Sequence, residues 1–301
     1  MAVLFTHITD LAQIKSIWNE LSPNKTIYDD WQFRDCFYKY NPYSILGIVA
    51  TDNKKHVGLL VVQDNTDKNC WEFFGGTYME DNRVLISLGY ESLISQFYTQ
   101  VPTPAKLYSM VDAHPFVDQL PLEANKYVLP LNELKSFEDY LIKFLDADAR
   151  GKFRRKIRKV ERENLQIRSG QVEDIAIMIK FNQAQFGDHS AFTARPHLTE
   201  IFHDLTKLGW PVHLYGFLKD GVPIAASFAI VYNGVYEYFN LGTNKNVEQD
   251  NLRDLATFVH KHNVEMAIAA NCRLFDAFTR SYGWKEHWHF TKIPQHELLN
   301  P

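Results

Sequence analysis

Near the start of the chain, apolar residues recur at helical spacing, Leu11, Ile14, Ile17, Trp18 and Leu21, until Ser22-Pro23 ends the run. Spacings of three and four residues mark one face of an amphipathic helix, and a proline cannot continue its hydrogen-bond ladder. A second helix is expected over Tyr28 to Tyr40. SILGIVAT (44–51) and HVGLLVVQD (56–64) are apolar runs joined by the polar DNKK, which reads as a hairpin. WEFFGG (71–76) reads as a short strand closed by two glycines. Leu85 to Tyr98 has roughly helical spacing, and AKLYSMV (105–111) follows the Pro102 and Pro104 breakers as another strand.

The second half follows a similar order. Helices are expected from Phe137 to Phe144, Gly151 to Glu163, Glu173 to Phe186 and near His197 to Leu208. The stretch VHLYGFLKDGVPIAASFAIVYNGVYEYFNLG then gives three apolar runs separated by Asp-Gly and Asn-Gly, residues that tolerate the backbone of tight hairpin turns. Leu252, Leu255, Ala256, Val259, Met266, Ala267 and Ala270 mark a long helix, followed by a mostly β-like tail to Pro294. Two halves in the same order, without a residue-level repeat, suggest duplication of one α/β unit. The boundary is expected near Val128 to Lys135, giving domains 1–130 and 131–301.

Several short motifs resemble the GNAT (Gcn5-related N-acyltransferase) superfamily, in its tandem-domain branch with the Fem-type peptidyltransferases and acyltransferase-like proteins associated with cellulose biosynthesis. They are the basic run Lys152-Phe-Arg154-Arg155-Lys-Ile157-Arg158-Lys159-Val-Glu161 with Asn164-Leu165, the turn and strand Asp220-Gly221-Val-Pro223-Ile-Ala225-Ala226, and Phe275-Asp276 leading to Lys285-Glu-His-Trp288. In the first half Val57-Gly58-Leu59 and Phe74-Gly75-Gly76-Thr77-Tyr78 are similar to the family's strand and turn. The resemblance implies an α/β (α+β) fold of two GNAT-like domains, each a mixed, mostly antiparallel sheet flanked by helices. It implies an N-acyltransferase that moves an acyl or aminoacyl group from an acyl-CoA-like thioester or aminoacyl-tRNA to an amine. The donor is then a substrate, and no tightly bound cofactor is expected.

In one place the chain departs from the family. The ordinary cofactor loop carries glycines, so that backbone N–H groups reach the coenzyme A pyrophosphate at a helix N-terminus. Here Val247-Glu248-Gln249-Asp250-Asn251-Leu252-Arg253 has no glycine and two carboxylates. Coenzyme A binding in the usual manner is not expected from it. Two other classes therefore stay open: a catalytically degenerate GNAT fold that binds an anionic ligand, and an RNA-binding module.

Composition narrows these readings. At 46% hydrophobic content a disordered chain is excluded, and a net charge of -4 makes the eight Lys and Arg of RGKFRRKIRKVERE a local feature. Cys36, Cys70 and Cys272 give neither a disulfide framework nor a zinc spacing, which fits a cytoplasmic setting. No helix-turn-helix or zinc-finger context supports DNA binding, no apolar stretch is long enough for a membrane span, and no metal-ligand spacing occurs among the histidines.

Candidate chemistry gathers in the second half. Acyl transfer needs a neutral amine and a polarised carbonyl, and by resemblance the carbonyl lies where the strands Ile224 to Val231 and Val235 to Leu241 splay. Alternation puts Val235, Glu237, Phe239 and Leu241 on one face, where Glu237 is a candidate general base or a structural carboxylate. Tyr236, Tyr238 and Asn240 take the other, with Tyr238 a candidate donor to the leaving group or an ordinary strand tyrosine. Tyr282 is a third catalytic candidate. The family pattern implies that Asp276, Lys285 and Tyr78 face substrate, against the alternative that Asp276 ends a strand and Lys285 is solvated on a tail. Arg154, Arg155 and Arg158, with Asn251 and Arg253, are candidates for the donor's phosphates, against the alternative of a solvated helix face.

Overall fold

A computed structural model describes residues 3–195, 197–247, 252–279 and 283–301. In chain order the first elements are β1 (Leu4–Ile8), α1 (Leu11–Leu21), α2 (Trp31–Tyr38), β2 (Ser44–Asp52), β3 (Lys55–Asn65), β4 (Cys70–Phe73), β5 (Leu85–Ile86), α3 (Ile94–Thr99), β6 (Ala105–Met110) and α4 (Pro115–Asp118). Next come β7 (Leu122–Pro130), α5 (Phe137–Phe144), α6 (Ala147–Glu161), β8 (Gln166–Ser169), α7 (Glu173–Phe186), α8 (Ala191–Ala194) and α9 (Leu198–Leu205). The chain ends with β9 (Val212–Lys219), β10 (Val222–Tyr232), β11 (Val235–Thr243), α10 (Leu255–Ala269), β12 (Leu274–Asp276), α11 (Trp284–His287) and β13 (Thr291–Asn300). It divides into two compact units, Met1–Lys126 with Lys292–Pro301, and Tyr127–Thr291. The final ten residues, assigned to the second half by the sequence reading, thus pack with the first unit.

In the first unit the strand order is β1-β2-β3-β4-β6-β13, with β5 on β3. Its pairings are antiparallel except β4 with β6, which meet in parallel at Trp71 and Ala105. Alternate residues of β2 and β3 enter two cores: Val49, Leu59 and Val61 pack with Ile14, Ile17 and Trp18, while Ile48, Leu60 and Val62 pack with Phe97. Burial of both faces explains why these strands read as continuous apolar runs. Asp10 caps α1 by accepting from the Gln13 N–H at 2.7 Å. The buried Arg34 guanidinium donates to the carbonyls of Tyr28, Phe74 and Asp81 at 2.6, 2.7 and 3.0 Å, tying α2 to the segment after β4. Burial lowers its pKa to about 10.

The second unit has the order β8-β9-β10-β11-β12-β7, and again a single pairing, β11 with β12, is parallel. Helices α5, α6 and α10 cover one face, over a core that includes Leu141, Ile157, Val259, Tyr236, Tyr238 and Phe275. On the other face α7 and α9 pack, with Phe202 of α9 against Phe228 and Phe239. Close approach of α7 depends on two glycines. A Cβ at Gly242 would lie 2.2 Å from the Met178 carbonyl oxygen, and one at Gly216 would lie 2.6 Å from the buried Asp174 carboxylate.

Some sequence expectations need correction. Leu85 to Tyr98 is not one helix: Leu85 and Ile86 pair with Leu59 and Gly58, and only Ile94–Thr99 is α-helical, after a left-handed Gly89. The basic helix begins at Ala147 rather than Gly151, because Asp146 caps it through the Ala149 N–H at 2.8 Å. The expected β-like tail contains α11, and the pattern missed β1 and β8, which are largely exposed, and β7, which buries Lys126 to Leu129.

Two glycine substitutions should act in opposite directions. Gly242→Ala must move α7 and should lower stability by about 1–3 kcal/mol. Gly151→Ala, inside α6 with nothing within 4 Å of its Cβ, should raise stability by about 0.5–1 kcal/mol. Urea midpoints at constant slope test both.

Candidate active site

β10 and β11 do not splay, contrary to the sequence expectation. They pair from Ala225–Thr243 to Tyr232–Val235 with one irregularity: Phe228 opposes Asn240 and Ile230 opposes Glu237. The single Ala229 therefore faces both Tyr238 and Phe239, which defines a β-bulge in β11. The strand that parts from β11 is β12. Their parallel register runs Val235–Leu274, Tyr236–Phe275, Glu237–Asp276 and stops one residue before the bulge.

The bulge also changes the faces. Tyr236 and Tyr238 share a face, both against Phe275, as alternation predicts. Phe239 turns to Phe202 and Phe278 on the other face. Asn240 follows it there, accepting from the Asn182 side chain of α7 at 3.0 Å, and so does not join the tyrosines. Leu241 in turn packs against the core under α10 rather than beside Glu237. Asn182 is a site residue the sequence reading missed; a polar residue within the buried stripe Ile175, Met178 and Ile179 was the available signal.

Glu237 and Asp276 lie side by side in the register, 0% and 1% exposed. Two carboxylates so placed repel one another unless a proton or cation accompanies them. One Asp276 oxygen accepts from the Phe278 N–H at 2.8 Å. Phe278 has φ of 60°, in the left-handed region that a bulky residue enters only under constraint. Its carbonyl accepts from Lys285 Nζ at 2.9 Å and from the Tyr127 N–H at 3.1 Å, and Lys285 also donates to the Thr279 carbonyl. Asp276 and the buried Lys285 thus converge through these backbone hydrogen bonds on the turn that follows β12, and Lys285 also lies over the Tyr127 ring at 5.0 Å.

Helix α11 is fixed on three sides. Trp284 stacks on His260 with centroids 3.9 Å apart, Lys285 holds the turn, and Glu286 accepts from the Tyr127 hydroxyl at 2.8 Å. Tyr238 directs its hydroxyl to His260 Nδ1 at 3.1 Å, on the strand face opposite Glu237. Burial raises the Tyr238 pKa, and burial followed by the Lys285 charge lowers that of His260 to about 3. Both groups are neutral at physiological pH.

The proposed phosphate contacts are not gathered in one place. Arg154 is paired with Glu138 and Arg155 is exposed. Arg158 is also exposed, while Arg253 lies 4.0 Å from Asp254. Lys156, which the sequence reading passed over, reaches Asp254 at the α10 N-terminus at 3.7 Å. Tyr78 belongs to the first unit, where it stacks on Phe37 with centroids 5.1 Å apart. Asn251 and Tyr282 lie outside the described residues. Among the described residues no three His, Cys, Asp or Glu side chains are grouped to hold a metal, and no helix is long and apolar enough to cross a membrane.

Residues 147–286 match the acetyltransferase (GNAT) domain family. The crystal structure of FemX superposes with a TM-score of 0.64 at 8% identity, over 98% of this chain and 96% of that one. A conserved protein of unknown function from Bacteroides thetaiotaomicron gives 0.59 at 10% identity, over 98% of each chain. A tandem GNAT protein from the clavulanic acid biosynthesis pathway gives 0.53 at 9% identity, over 98% and 97%. At such identities the likeness is one of fold. No curated protein matches the chain in sequence. The family match covers residues 147–286, and over its whole length the chain has the fold of FemX and of a tandem GNAT protein.

The His260 environment predicts a pH dependence. Between the unfolded pKa near 6.5 and the folded value of about 3, only the unfolded chain binds this proton. Stability should therefore fall on acidification through that window, with His260 contributing up to about 1.4 kcal/mol per pH unit. His260→Gln should show a shallower loss in denaturant unfolding followed between pH 7 and 4. An identical slope in both proteins would rule out a neutral buried imidazole.

Proposed function

We propose that the second unit catalyses transfer of an acyl or aminoacyl group to an amine, from an acyl-CoA-like thioester or an aminoacyl-tRNA ester. The observation that carries this reading is the β11 bulge at Tyr238–Phe239, one residue beyond the last β11–β12 pair, inside the GNAT domain. A bulge turns backbone groups out of the ladder, and such groups can hold a carbonyl as charge develops on its oxygen. In the reaction the amine nitrogen bonds to the carbonyl carbon and the carbon–sulfur or ester carbon–oxygen bond breaks. The proton lost by the amine passes to the Glu237 carboxylate, and the departing thiolate or ribose oxygen takes up a proton.

Glu237 is the proposed general base on the α7 face, with Asn240 and Asn182 on the same side. Tyr238, on the opposite face and bonded to His260, is the proposed proton donor to the leaving group. Asp276 and Lys285 act as positioning residues through the Phe278 turn. For the donor's phosphates the reading favours Lys156 and Arg253 beside the start of α10.

The second reading is a protein that binds an anionic ligand elsewhere without turnover, and it gains from whatever weakens the usual phosphate site. Asp254 places a carboxylate at the N-terminus of α10, next to Lys156 and Arg253, where the helix dipole would otherwise favour a phosphate. The two readings separate in one experiment. Purified protein is incubated with acetyl-CoA, longer acyl-CoAs or charged tRNA and a panel of amines, and thiol or tRNA release is followed. Turnover with at least one donor is expected; binding without turnover would replace the enzyme by the binder. Glu237→Gln should keep the fold and lower kcat by about a hundredfold or more. Unchanged turnover would remove Glu237 as the base.

A further inference from the structure

A cavity of about 310 Å³ opens in the second unit between α5, α6 and α10. Lys261 and Glu265 of α10 line it, whereas His260 of the same helix turns to Tyr238, so the cavity stands apart from the β11 bulge. Phe137, Leu141 and Ile157, all buried, supply apolar surface. A space of this size suits a small ligand rather than a solvent molecule.

Its charges are arranged unevenly. Glu138 is held by the Arg154 guanidinium, so that pair is neutral. Lys261 is shared between Glu161 at 3.5 Å and Glu265 at 3.1 Å, leaving that end with one net negative charge. Arg158 has no side-chain partner among the described residues, and it lies on α6 about one turn, roughly 5.4 Å, beyond Arg154. The lining therefore carries a guanidinium near its middle, an excess carboxylate at one end, and apolar surface beneath.

A nucleotide or phosphate ester would meet Glu161 and Glu265 as well as Arg158, and a wholly apolar ligand would leave all three in contact with it. A zwitterion matches the pattern: its carboxylate would take the Arg158 fork as Glu138 takes that of Arg154, and its ammonium would take the Glu161–Glu265 end. We infer that this cavity binds an α-amino acid or short peptide through its ammonium and carboxylate groups, with an apolar side chain against Phe137, Leu141 and Ile157. The site does not depend on acyl transfer at β11.

Calorimetric titration of the full chain with L-leucine and with L-leucyl-glycine tests the inference. Saturable binding at one site is expected. It should weaken at least tenfold in Arg158→Ala, and for leucine amide and N-acetyl-leucine, which each lack one charge. Lys152→Ala, an exposed change on the same helix away from the cavity, should leave binding unchanged and shows that the helix tolerates such a substitution. The inference fails if neither probe saturates by about 10 mM, the range of weak metabolite sites. It fails equally if Arg158→Ala binds leucine as tightly as the parent chain, since binding would then be elsewhere, for example at the acyl-transfer site.

Discussion

The second unit is organised by an unequal pairing of its central strand. β11 has β10 along its whole length on one side and β12 for only three residues on the other. Backbone N–H and C=O groups in an interior require partners, so a strand that loses its neighbour must be accommodated by what surrounds it. On the departing side this is done by the left-handed Phe278 turn, whose carbonyl receives Lys285 and Tyr127 while Asp276 takes the Phe278 N–H. α11 is then fixed because Lys285 belongs to it. On the other side β11 bulges at Tyr238–Phe239, which reverses the faces of every later residue in the strand.

That reversal marks the limit of what the sequence can reveal. The two hairpins and the long helices are legible, because both faces of the central strands are buried and the helix stripes recur at three and four residues. A bulge between two aromatic residues leaves no trace in an apolar run. Alternation consequently assigns Tyr236, Glu237 and Tyr238 to their faces and misplaces Asn240 and Leu241. Asp276 and Lys285 are found by pattern, yet their buried contacts with the 278–279 backbone depend on chain segments brought together only in the fold. In the basic run the charges are visible, but not the flank each occupies: Lys156 faces Asp254, Arg154 faces Glu138, and Arg155 faces solvent.

The similarity of the two units is likewise one of pattern rather than residues. Leaving aside β5 on the edge of β3, each orders six of the described strands in the same sequence of pairings, three antiparallel, then one parallel, then one antiparallel. Such an order can persist while side chains change, because strand pairing is satisfied by the backbone and cores accept many apolar combinations of suitable volume.

The units differ at their parallel pair, and this difference bears on which of them could hold a donor. In the first, β4 and β6 meet at Trp71 and Ala105 and then separate, but the chain beyond β4 returns and Asn82 pairs with Met110. The Asn82 N–H donates to the Ser109 carbonyl at 2.9 Å, the Val111 N–H donates to that of Asn82 at 3.0 Å, and the Asn82 amide also reaches the carbonyls of Met79 and Tyr108. Since β13 occupies the opposite edge of β6, Asn82 takes the edge that faces β4. The first unit thus closes its parting with its own backbone. Among the described residues of the second, no such bridge follows Glu237 and Asp276. On the proposed reading an extended acyl donor would compete for the same strand edge as a bridging segment, and among the described residues that reading assigns it the edge of β11.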